Sequence, residues 1–375
     1  MKLLEPYNLT PQVRLKNRIV LPALVTRLAT EEGYPTQELK ERYVRYAQGG
    51  VGLIVTEATA VLTRKSGPFL RISEDCYVEP LRDVVKAVHE IPGAKIIPQL
   101  IHFLKISRSG YRQKVQDLTK EDMQQVVADF THATVRAREV GFDGVEFHMA
   151  HAYTLASSLS TRNRRRDEYG KTLEGRLRLS CQSYEAARKA VGDDYLIGTR
   201  INGDEFIKKG NTLLHSTQIA VRLASLGINY ISVSAGGKFE DAIPKAGHPL
   251  DPYTGYSGER CMPPDYMTDM CNVFLAEAVR KAVREAGYST PIFTAGKISS
   301  AGMAESILQE GKADLIALGR PLLCDPDWPL KVAAGREKDI LPCNYCNVCI
   351  RLDMAFRKVI CEEWEKGWVN VPRVV

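Results

Sequence analysis

Apolar runs and amphipathic stripes alternate along most of this chain. NRIVLPAL (17–24) reads as a first strand, and VGLIVTEATA (51–60), preceded by Gly49-Gly50, as a second. The segment between them, with Tyr43, Tyr46 and Ala47, reads as a short helix. Leu81, Val84, Val85 and Val88 form the stripe of a second helix, which Pro92-Gly93 stops. AKIIPQLI (94–101) is a third strand. TKED at Thr119 is an N-cap with an acid three residues on, and Met123, Val126, Val127, Phe130 and Ala137 carry that helix to Gly141. A fourth strand over Gly144 to Phe147, a helix over 175–190 and a fifth strand, YLIGTRIN (195–202), follow. The stripe Ile219 to Leu226 precedes INYISVSA (228–235), a helix over 273–286 precedes PIFTAGKI (291–298), and one over 303–309 precedes ADLIALGR (313–320).

The pattern is strand then helix, eight times, with strands apolar on both faces as a parallel sheet demands. It predicts a TIM (β/α)8 barrel over residues 1–340, with a short cysteine-rich appendage over 341–375. A doubly wound open sheet is the alternative, and the lack of a G-x-G-x-x-G after the first strand argues against it. In a barrel, chemistry belongs at the C-terminal strand ends. Those ends read Pro22 and Ala23, Ala58, Gln99 and His102, His148 with His151 and Tyr153, Arg200, Gly296, then Gly319 and Arg320. Two imidazoles and a phenol can polarise a carbonyl and supply a proton. Glycines and an arginine after the last two strands lie where barrels commonly hold phosphate. A phosphate-bearing cofactor is therefore expected, and a phosphorylated sugar as substrate fits those ends equally well.

The net charge of +6 over 375 residues is mild. It suits an anionic ligand and gives no sign of nucleic-acid binding. Part of it sits in Arg162 to Arg166, which reads as a solvated loop or an ion-pair network. No apolar stretch is long enough for a membrane span. The start, MKLLEPYNLT, has no secretory pattern, so a cytoplasmic, reducing setting is the default. Stable disulfides are rare there, and nine cysteines then stand out. Cys343, Cys346, Cys349 and Cys361 crowd one end. Three thiols at two-residue gaps and a fourth further on suit a [4Fe–4S] cluster better than zinc, which commonly takes paired Cys-x2-Cys units.

HMAHAY followed by LSTRNRRRDEYGKTLEGR resembles the old yellow enzyme family of FMN barrels. His148, His151, Tyr153, Asn163, Arg165, Asp167, Tyr169, Gly170 and Arg176 match that family's run. The resemblance extends from about Leu3 to about residue 361. It implies that Gln99 bonds the flavin pyrimidine edge, that Arg200 lies beside N1 and O2, and that Ala58 packs on the ring. Gly296, Gly319 and Arg320 would hold the phosphate, and Pro22 and Ala23 would line the same site. It implies hydride transfer from FMN to an alkene activated by a carbonyl, as in an enone, an enoate or an acyl-CoA thioester. His148 and His151 would bind the carbonyl oxygen, and Tyr153 would protonate the α-carbon.

The cysteine set is similar to that of trimethylamine dehydrogenase, whose CNVCI-type run is echoed at 346–350, and to those of dienoyl-CoA and enoate reductases. Those relatives carry further nucleotide-binding domains that this sequence does not show. A redox partner on another chain is therefore expected: an electron-transferring flavoprotein, a ferredoxin or an NAD(P)H-oxidising subunit. Direct reduction by NAD(P)H and homo-oligomer formation stay open. An iron–sulfur amine dehydrogenase is the alternative function. Amine-oxidising relatives have Tyr where His148 stands and attach FMN through a Cys near the first strand. Leu21 to Ala29 contains no Cys, so noncovalent FMN is expected. A relay subunit with no substrate of its own is a third reading, against which the His pair and Tyr153 speak. The loop Gly236 to Pro264 is expected to wall the site with Tyr253 and Tyr256.

Overall fold

The computed structural model describes residues 1–64, 67–105, 112–243 and 253–364. Two short strands, β1 (Tyr7–Asn8) and β2 (Arg14–Leu15), pair antiparallel at the start. Eight more close a parallel barrel: β3 (Ile19–Leu21), β4 (Leu53–Ala60), β5 (Ile96–Ile101), β6 (Gly144–Met149), β7 (Leu196–Asn202), β8 (Ile231–Ser234), β9 (Ile292–Thr294) and β10 (Leu315–Ala317). β10 pairs with both β9 and β3, which completes the ring and excludes an open doubly wound sheet. Each strand overlaps the apolar run that predicted it.

The helices obey the local signals. In Lys120–Val140, Thr119 Oγ1 accepts from Asp122 N at 3.1 Å, and Asp122 Oδ2 accepts from Thr119 N at 2.8 Å. Gly141, at φ 98°, ends that helix in the left-handed region that glycine tolerates. The hydrophobic pattern does not announce Thr154–Leu159, Gly255–Cys261, Arg320–Cys324, Trp328–Ala333 or Val348–Met354. Each spans two turns or fewer, too little for a stripe to repeat. Among the described residues no helix is long and apolar enough to cross a membrane.

Inside the barrel, Val20, Leu53, Val55, Ile97, Leu196, Tyr230, Phe293 and Leu315 form one buried cluster with Leu9, Val13 and Leu15. The last three come from the β1–β2 hairpin region. The lead-in thus plugs the end where the strands begin and leaves the opposite end for chemistry. Tyr230 stacks on Phe293 with ring centroids 4.3 Å apart. Its ring lies over Gly198 of β7, where an added Cβ would sit 2.0 Å from Tyr230 Cε1.

The described part of the C-terminal segment lies against the C-terminal strand ends. Val359 N donates to Thr26 O at 2.9 Å, and Arg42 Nη1 donates to Val359 O at 2.7 Å. Arg27 and Asp353 form an ion pair at 2.7 Å with both side chains largely buried. Asn347 Oδ1 accepts from Arg320 Nη1 at 2.5 Å.

Gly198→Ala should cost about 1–3 kcal/mol through overpacking against Tyr230. Thermal unfolding is the measurement, and an unchanged unfolding temperature would mean that the ring has room to move.

Candidate active site

Strand register brings the predicted residues to one mouth. Ala58 pairs with Gln99, and His148 pairs with Arg200. After β6 the chain turns sharply: His151 and Ala152 both adopt positive φ, 57° and 66°. Such backbone is strained for residues with a Cβ and needs support from its surroundings. Support comes from β8 and the loop that follows it. Ser234 Oγ lies 2.6 Å from His151 Nε2, and a Cβ on Gly237 would sit 3.0 Å from His151 Cα. Tyr153 then takes the N-cap position of the helix Thr154–Leu159 without a side-chain capping bond. The His148 ring centroid is 5.0 Å from those of both His151 and Tyr153.

Burial sets the protonation of the trio. Burial first, and then the Arg200 charge, hold His148 down at about 3. Burial, His148, Arg200 and Lys238 hold His151 well below the ordinary histidine range. Burial, and then the Asp353 carboxylate, push the Tyr153 phenol up. Two neutral imidazoles and a protonated phenol result. Arg200 Nη2 donates to Ser234 Oγ at 3.2 Å, and the same oxygen lies 2.6 Å from His151 Nε2. His148 Nδ1 and Arg200 Nε and Nη1 are buried with no hydrogen-bond partner in the protein. Unpaired buried polar atoms of this kind mark a place for a ligand.

One pocket joins these atoms to the rest of the predicted set. Pro22, Ala23, Ala58, Gln99, His148, His151, Tyr153, Arg200, Gly296, Gly319 and Arg320 all line it. It offers about 1320 Å³ of space, open mouth included. Its walls are mostly apolar, with Arg200, Lys297 and Arg320 among the cations that line it. Gly296, at φ 121°, leaves the close approach to Asn272 that a Cβ would fill at 2.7 Å. A flat ring with an anionic tail suits this distribution, and FMN has that shape and charge. Thr26 and Val25, where the resemblance puts the attachment cysteine of amine-oxidising relatives, line the wall.

Other candidates lie elsewhere. His102 Nδ1 meets Thr154 Oγ1 at 2.8 Å, and burial holds its pKa down at about 4; it ties β5 to the helix after Tyr153. Tyr253 lines the pocket, but Tyr256 is exposed and packs edge-on against Phe206. The expectation of Tyr256 as a wall is thus corrected, while residues 244–252 of that loop lie outside the described residues. The long motif at 163–176 braces structure: Asn163 Nδ2 donates to the carbonyls of Ser158 and Tyr169, and Arg165 pairs with Asp167. Cys349 lines the pocket, whereas Cys343, Cys346 and Cys361 do not. Among the described residues no three His, Cys, Asp or Glu side chains converge closely enough to share one metal ion.

The family profile described as NADH:flavin oxidoreductase / NADH oxidase matches residues 2–339. The chain belongs to that family. It is an FMN-linked family, in keeping with the pocket. An NADPH dehydrogenase of Geobacillus sp. (strain WCH70) is 34% identical over 352 residues, 89% of this chain and 94% of that protein. An NADH oxidase of Thermoanaerobacter brockii is 35% identical over 358 residues, 90% of this chain but 52% of that protein. The chain thus spans about half the length of that curated relative. Histamine dehydrogenase from Rhizobium sp. 4-9 superposes with a TM-score of 0.82 at 25% identity, over 99% of this chain and 54% of that one.

Pattern reading missed Ser234, which meets His151 Nε2, and Asp353, which lines the same pocket as Tyr153 and bears on it electrostatically. Ser234 carried a faint signal as a hydroxyl at the end of an apolar strand. Asp353 carried none, since its place depends on how the C-terminal segment folds back.

His148 stays neutral in the folded chain down to about pH 3, whereas the unfolded imidazole takes a proton near 6.5. The stability from this group is present above pH 6.5 and is lost as pH falls toward 3. By pH 5 the loss is about 2 kcal/mol. A His148→Asn chain should lose that much less stability than wild type between pH 7 and pH 5, measured by thermal unfolding. Equal losses would mean that His148 is not held neutral.

Proposed function

We propose that this chain is an FMN-dependent ene-reductase acting on an alkene activated by a carbonyl: an enone, an enoate or an enoyl thioester. The observation that carries the reading is the convergence of neutral His148 and His151 with protonated Tyr153 on one pocket beside Arg200. Pro22, Ala23 and Ala58 would flank noncovalent FMN, Gln99 and Arg200 would meet its pyrimidine side, and Gly296, Gly319 and Arg320 its phosphate. Bound FMN would supply the hydride for the β-carbon of the alkene. His148 and His151 donate hydrogen bonds to the carbonyl oxygen, where negative charge grows as the hydride arrives. Neutral imidazoles suit this role, since they donate without giving up a full proton. Tyr153 gives its proton to the α-carbon, and solvent returns one to the phenol. Hydride plus proton saturates the double bond and balances the step.

The thiols of Cys343, Cys346, Cys349 and Cys361 are the donor set for a [4Fe–4S] cluster. A cubane holds thiolates further apart than a single ion does, and Cys343, Cys346 and Cys349 each lie near enough to Cys361 to feel its charge. A bound cluster would relay single electrons between a partner protein and the pocket. Direct use of NAD(P)H is the other source, supported by the name of the Geobacillus relative, which this chain nearly spans. A second reading, an amine dehydrogenase, draws on the likeness to histamine dehydrogenase over 99% of the chain. Anaerobic bleaching of the flavin by an amine, histamine among those tried, with no alkene turnover, would favour it.

Tyr153→Phe should slow alkene reduction by about 10²-fold or more while sparing reduction of the flavin. Stopped-flow of the two half-reactions measures this, and equal loss in both would remove Tyr153 as the acid. Anaerobic purification with iron, zinc and sulfide assays should return four iron and four sulfide per FMN. Zinc in their place would end the electron-relay reading.

A further inference from the structure

Glu146 is a charged residue in the middle of an apolar strand, 1% exposed, and the chemistry above does not use it. It lies inside the barrel beneath the pocket. Gln99 Nε2 donates to its Oε1 at 2.6 Å, and Tyr230 Oη donates to its Oε2 at 2.8 Å. Gln99 and Tyr230 are themselves 3% and 0% exposed. Register places Glu146 opposite Gln99 on one side and opposite Gly198 on the other, two residues before Arg200 on the same face of β7. Gly198 is what lets the Tyr230 ring cross β7 to reach the carboxylate. Burial raises the carboxyl pKa, while Arg200, Gln99 and Tyr230 pull it back.

We propose that Glu146 is a positioning residue for the flavin edge of the pocket, turning the Gln99 amide and offsetting the Arg200 charge. A carboxylate only accepts hydrogen bonds, so Gln99 must give it an N–H. The Gln99 carbonyl oxygen and its second N–H are then left for the pocket. An acceptor beside a donor complements the alternating donor and acceptor edge of a flavin pyrimidine ring. Arg200 at that edge favours the more negative, reduced ring, and the carboxylate below it weakens that pull. The ring's readiness to accept electrons is then set by the Glu146–Arg200 balance rather than by Arg200 alone. This rests on FMN filling the pocket and does not depend on the alkene reading.

The test reconstitutes the full apo-chain with FMN and reads its dissociation constant by flavin fluorescence and its midpoint potential by dye-equilibrated reduction. Glu146→Gln should bind FMN about tenfold more weakly, because the Gln99 amide is free to flip. Its midpoint potential should move positive, because Arg200 is no longer offset. Tyr230→Phe keeps the ring on Phe293 and removes one donor to the carboxylate, which favours protonated Glu146. It should give a smaller potential shift of the same sign. A Glu146→Gln chain with the potential and affinity of wild type overturns the proposal. Should Glu146→Gln fail to fold, an unchanged potential in Tyr230→Phe overturns it instead. A wild-type chain that takes up no FMN overturns the pocket assignment and this inference with it. Alkene turnover is no part of the readout, so failure of the ene-reductase reading shows separately.

Discussion

Side chains alternate along a strand, and on β6 that alternation sends Val145 and Phe147 outward to the helices and Glu146 and His148 inward. The inward pair organises the mouth of the barrel. Glu146 holds Gln99 from β5 and Tyr230 from the segment entering β8, while His148 sits level with Arg200 of β7. A slip of one residue in the register of β6 would exchange both pairs. It would place a carboxylate and an imidazole among the outer helices and two large apolar groups under the pocket. The outer partners of Val145 and Phe147, Phe130 among them at 4.8 Å between ring centroids, make that slip costly. The helix that Thr119 caps thus guards the chemistry indirectly, by keeping Phe147 where it is.

Electrostatics at this mouth centre on Arg200. It depresses both histidines, draws on Ser234, and counters the burial of Glu146. Two of its nitrogens have no protein partner. A buried cation with free donors is unstable on its own, and a ligand edge of hydrogen-bond acceptors is the natural complement. Burial first, with this cation adding to it, keeps both imidazoles neutral, so neither forms a fixed ion pair. In the ene-reductase reading proposed above, cofactor binding and oxyanion binding would therefore share one charge.

The barrel was legible because its signals are local and repeated. Apolar runs punctuated by Gly, and a capping box at Thr119, need no knowledge of the rest of the fold. The strand-end residues could be gathered before any distance was known, because barrel closure brings all eight ends together. Contacts between distant segments were not legible. Tyr230 reaches Glu146 only because residue 198 lacks a Cβ, and neither residue signals this alone. Tyr256 looked like a wall by its place in a long loop, but the helix Gly255–Cys261 turns it outward against Phe206. The motif around Asn163 identified the family, yet its residues brace a turn and touch no part of the pocket.

The C-terminal segment changes how the pocket is bounded. Asp353 and Cys349 are lining residues, and Tyr345 lies under the Arg320 guanidinium with Lys297 nearby. Arg320 is held by Pro263 O at 2.7 Å and by Asn347 from within the cysteine run. Asn347 Nδ2 in turn donates to Met262 O at 2.9 Å. Asn347 adopts φ 58° and Tyr345 the same value, backbone that asparagine tolerates better than tyrosine. The turn carrying three cysteines is therefore shaped by bonds to the Arg320 side of the pocket. Whatever the thiols hold, displacement of this turn would move Arg320 and, through Asp353, the surroundings of Tyr153. The two sides of the pocket, Arg320 and Tyr153, are thus tied to one short segment at the edge of the barrel.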